Sequence, residues 1–117
     1  MFKQIKKQHA HFNILYTGKP RHLSPEEKTF YHKAILEEAQ EYEDAKSLED
    51  EFDALLDILV FTAGAILRHG FKGEAGIKEV VTANMEKIVG PLDKRGGFKL
   101  DLQKPVGWKP PNLSQFL

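Results

Sequence analysis

The chain has 117 residues, 17 Lys and Arg against 17 Asp and Glu, and no cysteine. One globular domain is the expectation for this length, while the lack of cysteine excludes a disulfide framework and a thiolate zinc site. A balanced charge also removes the usual basis for coating nucleic acid or a membrane surface, since both need an excess of Lys and Arg.

Phe2, Ile5, His9, Phe12 and Tyr16 recur at spacings of three and four, which predicts a first amphipathic helix over residues 2–16. Gly18 and Pro20 break it. Ser24, Pro25 and Glu27 form a capping-box pattern, with the Ser hydroxyl accepting from the Glu27 amide and the Glu27 carboxylate reaching back. The second helix should run from there to about Ala45. Ser47 and Asp50 mark a similar start for a third helix, which should stop at Gly70. A tight turn between the two makes a helical hairpin. Gly73 and Gly76 open a fourth helix with Ile77, Val80, Val81, Met85 and Ile88 on its apolar face, closed by Gly90-Pro91. Residues 91–117, rich in Gly and Pro, read as an extended tail over the helices or a neighbouring subunit. The expected architecture is all-α: a four-helix bundle in a single domain, 1–117. Its thin core suggests completion by homo-oligomerisation.

The longest apolar stretch, Ala54–Leu67, is about fourteen residues, shorter than the ~20 of a membrane span. No signal peptide or lipidation motif is recognisable, so a cytoplasmic, membrane-free setting is expected.

Neutrality conceals segregation. Residues 37–57 contain ten acids and one base, Lys46, a local charge of −9 balanced by +9 elsewhere. Glu37, Glu38 and Glu41 share roughly a 100° arc of the second helix. Repulsion among them weakens a bare helix by about a few tenths of a kcal/mol per pair unless a cation intervenes. Glu38 also lies on the stripe of Tyr31, Ile35 and Tyr42, which should face the core. On the third helix, Asp57 interrupts the run Leu55-Leu56-Asp57-Ile58-Leu59-Val60. An ionised carboxylate is costly to bury there without a partner or a metal. Asp50 and Asp53 share its stripe, and Gly64 extends it. A hairpin would set Glu37, Glu38 and Glu41 opposite Asp53 and Asp57, an oxygen-rich set suited to Mg²⁺ rather than Zn²⁺. No Glu-x-x-His pair is present for a di-iron bundle, and the histidines read as structural.

On the fourth helix Asn84 falls on the apolar stripe with Lys87 one turn later, and Lys94 and Arg95 follow in the loop. Trp108, beside Pro110-Pro111, has two expected uses, stacking on a base or covering a partner subunit's core, and the second is favoured.

Glu37-Glu38-Ala39-Gln40-Glu41, an acidic pair ending at Asp57 and Asn84-Met85-Glu86-Lys87 together resemble the MazG-like all-α nucleoside triphosphate pyrophosphohydrolases. That superfamily also includes dimeric dUTPases and phosphoribosyl-ATP pyrophosphohydrolase. Phe12-Asn13 with Leu15-Tyr16, Gly64 and Trp108-Lys109-Pro110-Pro111 are similar to its small stand-alone phage and bacterial members. The departure is Ala54, where the family's second motif, Glu-x-x-Asp, has Glu; Asp53 is the nearest substitute.

The resemblance implies Mg²⁺-dependent (or Mn²⁺-dependent) cleavage of a nucleoside triphosphate between the α and β phosphates by a homodimer or homotetramer. It casts Glu38, Glu41 and Asp57, assisted by Asp53, as metal ligands, and Glu37 as the group that activates water, through a second metal in one version. Asn84 and Lys87 would contact sugar and phosphates, Lys94 or Arg95 the leaving pyrophosphate, and Asn13 the sugar or base. The alternatives are a phosphoribosyl-ATP or dUTP/dCTP-type pyrophosphatase and a non-catalytic helical module for nucleotide sensing or protein contacts.

Overall fold

The computed structural model describes all residues, 1–117, and is predominantly helical: α1 Phe2–His11, α2 Pro25–Asp44, α3 Leu48–His69 and α4 Gly73–Asn84. Two short strands, β1 Ile88–Val89 and β2 Leu102–Gln103, pair antiparallel, and 3₁₀ turns cover Asp93–Arg95 and Ser114–Phe116. The chain divides into two compact units, Met1–Gly73 with Leu117, and Glu74–Phe116. No single helix is long and apolar enough to cross a membrane.

In the first unit, α2 and α3 form the antiparallel hairpin. Ser24 Oγ accepts from the Glu27 amide at 3.1 Å and Ser47 Oγ from the Asp50 amide at 3.1 Å, so both expected N-caps are present. The box at Ser24 is only half built, because the Glu27 carboxylate turns to Arg68 (Nε to Oε1, 2.6 Å) instead of reaching back. Gly70 ends α3 with φ 82°, where its amide bonds Leu67 O and the Phe71 amide bonds Ile66 O. That pair of bonds is the Schellman stop, and its left-handed residue favours glycine.

Along the hairpin, Glu27 meets Arg68 and the Tyr31 ring approaches Gly64, so the two helices run past each other in constant register. Continuing it by one heptad brings Glu38 to Asp57. Against α3 lies α1, which buries Phe2, Ile5 and His9. Phe2, Ile5, Ala63 and Leu67 form the core, with Val60 and Ile66 packed on it.

The first helix stops at His11, short of the expected residue 16. Asn13 takes a left-handed conformation (φ 59°), which a short polar side chain tolerates, and the chain turns away with the Ile14 amide bonding His9 O. The segment that follows covers the C-terminus of α3. Arg21 donates from its amide to His69 O (2.9 Å) and from Nε to Arg68 O (3.0 Å), and Arg68 Nη1 donates to Ile14 O (2.6 Å). Cationic donors there also suit the helix dipole.

In the second unit α4 ends at Asn84, not near Gly90. Ala83 O accepts the Trp108 indole N–H (2.8 Å) and the Glu86 amide, so it is not available to the Lys87 amide, which closes a tighter turn on Asn84 O. Ile88 and Val89, β-branched residues, then enter the small sheet opposite Gln103 and Leu102. The tail therefore carries structure and packs on α4, with the Asn112 amide also donating to Glu79 Oε1. Trp108 donates its indole N–H to its own chain's helix end.

Candidate functional site

The side chains with anomalous electrostatics are Glu38 on α2 and Asp57 on α3. Glu38 reaches them because Tyr31, Ile35 and Glu38 share the face of α2 turned to α3. Its carboxylate is half-buried, and Oε2 is shielded from solvent with no hydrogen-bond partner. Burial, then the nearby Glu41 carboxyl, then the charges of Asp57 and Asp53 push Glu38 up to about 7. Asp57 is raised by burial and by the charges of Asp53 and Glu41. Four of the five expected carboxylates thus act on one another across the hairpin. Glu37 is exposed on the neighbouring face, and the groups that shift Glu38 do not include it.

Burial holds the Glu38 proton on first and the neighbouring carboxylates add to it, so a cation among the four acids would relieve their mutual repulsion. The donors are all oxygen, which suits a hard divalent cation with several waters retained. Glu38 Oε2, buried and unpartnered, supplies the unsatisfied acceptor that such an ion requires. No trio of acidic or histidine side chains is already gathered in ligating geometry. Ala54 is 2% exposed, so the position where the resembling family carries its Glu is a tight core contact here.

The remaining expected site residues have identifiable local roles. Asn13 is the left-handed residue that follows α1. Asn84 closes α4, half-buried, and Lys87 lies beyond the helix end; the helical spacing expected to align them is absent. The Lys87 ammonium lies 4.8 Å from the Trp108 ring centroid, with Lys104 at 5.3 Å. Arg95, an exposed side chain, pairs with Asp101 through two hydrogen bonds of 2.8 Å, which lower the Asp101 carboxyl to about 2. Lys94 is exposed.

A second polar cluster, which spacing did not reveal, joins His9, Glu27, Arg68 and Arg21. Glu27 is lowered chiefly by its hydrogen bond with Arg68, and Arg68 is raised by the same bond. The partners stand 41 residues apart, beyond the reach of any local pattern. The one signal was negative: Glu27, as a capping-box acid, has an obvious local use that concealed its distant one. Compared with family models and with curated proteins, the chain matches none.

Proposed function

We propose that this chain is a MazG-like, divalent-metal-dependent nucleoside triphosphate pyrophosphohydrolase that releases a nucleoside monophosphate and pyrophosphate. The observation that carries the reading is Glu38, whose buried, unpartnered oxygen and raised pKa mark a place for positive charge among Glu41, Asp53 and Asp57. Glu38, Glu41 and Asp57, with Asp53, would hold Mg²⁺ or Mn²⁺. Bound there, the ion supplies charge neutralisation for the phosphates and Lewis acidity at the α phosphorus. Glu37, exposed beside them, orients the attacking water and accepts its proton. Water oxygen bonds the α phosphorus as the bond to the bridging oxygen breaks, and pyrophosphate leaves with that oxygen. Asn84, Lys87, Lys94 or Arg95, and Asn13 keep the sugar, base and phosphate roles that the resemblance implies.

The test is pyrophosphate release across a panel of ribo- and deoxynucleoside triphosphates, dUTP, dCTP and phosphoribosyl-ATP included, with Mg²⁺, Mn²⁺ or chelator. Turnover of at least one substrate that chelator abolishes is expected, and none with any substrate overturns the reading. Buried Ala54 in the family's Glu position favours a second reading, a nucleotide-binding module without turnover. It predicts metal-dependent nucleotide binding in the same samples with no pyrophosphate formed.

The active form is a homo-oligomer, dimer or tetramer. Phe30, Leu36 and Phe52 remain 55, 55 and 63% exposed, and no large side chain is fully buried. Exposed apolar side chains of that size support association. Sedimentation at micromolar concentration should show a dimer or larger, and a monomer throughout contradicts this.

A further inference from the structure

His9 is the buried polar residue of the α1 face, 5% exposed, and its Nδ1 has no hydrogen-bond partner. The ring is seated against bare backbone: a Cβ built on Gly64 would lie 3.1 Å from His9 Nε2 and 3.6 Å from the Tyr31 ring. Any side chain at position 64 would compete for the space that the imidazole fills.

The groups facing this seat are Tyr31 and Glu27 from α2 and Arg68 from α3. Burial lowers the His9 pKa first and the Arg68 charge lowers it further, opposed by Glu27. Glu27 offsets this only in part, its two oxygens being engaged by Arg68 at 2.6 and 3.4 Å. A protonated ring would carry two N–H donors into a pocket without acceptors for both, next to a guanidinium. Only Phe2 and Ile5 share with His9 the burial of α1.

We propose that His9 is a pH-sensitive latch, holding α1 on the α2–α3 hairpin while the imidazole is neutral and releasing the helix when it is protonated. The sign follows from linkage. The docked ring binds a proton more weakly than the free ring, so its contribution to docking is complete above the free value of about 6.5 and declines as pH falls below it. An undocked helix of ten residues does not persist alone in water, so release also unwinds α1.

Hydrogen exchange of the α1 amides in the full chain, corrected for the intrinsic rate at each pH, tests this between pH 7.5 and 5.5. Protection should fall several-fold, with a ceiling of about tenfold at pH 5.5 set by the free imidazole value, and should recover on return to pH 7.5. His9→Leu keeps the apolar face without the titrating group, and its α1 protection should be flat over the same range. Unchanged protection in the native chain, or an equal fall in His9→Leu, overturns the latch. If His9→Leu does not fold, the His9 ring titration followed by NMR in the native chain decides. A midpoint below that of a free imidazole that tracks the loss of protection supports the latch, and a midpoint at or above it overturns it.

Discussion

Glu38→Gln should reduce metal-dependent pyrophosphate release by about two to three orders of magnitude while making the metal-free protein more stable at pH 8. The two effects share a cause. The native carboxylate is held among Glu41, Asp53 and Asp57, where ionisation is useful only if a cation is present. Its folded pKa of about 7 lies above the ordinary 4.5, so the folded chain binds this proton more tightly than the unfolded chain. Its contribution to stability is therefore complete below pH 4.5 and lost as pH rises through about 7. Glutamine cannot lose that proton, so thermal melts in chelator should show a smaller decline from pH 5 to pH 8 in the variant. Millimolar Mg²⁺ should raise the midpoint of the native protein at pH 8, since a ligand of the folded state alone must do so, and should leave Glu38→Gln nearly unmoved. Undiminished turnover in the variant would refute the assignment of Glu38 as a ligand. Coincident pH profiles would refute the account of its environment.

Arg68→Ala should be the most damaging single truncation of a polar side chain, at about 2–3 kcal/mol. The Arg68 guanidinium binds Glu27 and the carbonyl of Ile14, linking α3 to α2 and to the segment after α1. Arg68 and Glu27 keep only 22 and 26% of their side-chain surface in water, so solvent does not replace the lost bonds well. The Glu27 pKa is lowered from 4.5, so its stabilisation is present above that pH and disappears as pH falls through the folded value. Urea denaturation at pH 7 and pH 4 should show a native protein weakened by acid and an Arg68→Ala variant that starts weaker and loses less. A variant within 0.5 kcal/mol of native, roughly the scatter of ordinary surface substitutions, would rule out this network as a structural joint.

Where the chain's instructions are local, they are legible in the residues alone. Ser24, Ser47 and Gly70 start and stop helices through bonds to neighbours within five residues, and each acts as spacing predicts. The carboxylate seam was legible in part for the same reason: Glu38, Glu41, Asp53 and Asp57 announce a shared side through helical periodicity, whereas Glu37, exposed like Glu41 and Asp53, is not among the groups that act on Glu38. Misreadings arose where a distant residue decides. Apolar spacing continues through Phe12 and Tyr16, yet the left-handed Asn13 and the bond from Arg68 to Ile14 O draw the chain away. The stripe of α4 continues to Ile88, yet the Trp108 indole, 25 residues downstream, takes the carbonyl on which another turn would depend. Nothing near Ala83 could disclose that competition.

The constant register of the hairpin has a mechanical corollary. From Tyr31 to Glu38 is seven residues on α2 and from Asp57 to Gly64 is seven on α3, about 10.5 Å, or two turns, on each side. One seam thus holds Gly64, whose missing side chain leaves room for the His9 ring and the Tyr31 edge, and the carboxylates two turns away, where charge drives the helices apart. Bulk added at position 64 would therefore press first on the His9 ring of α1, at 3.1 Å, and then on the Tyr31 ring, so the seat of α1 and the acid-bearing end of the hairpin are two separate stations on one helix pair.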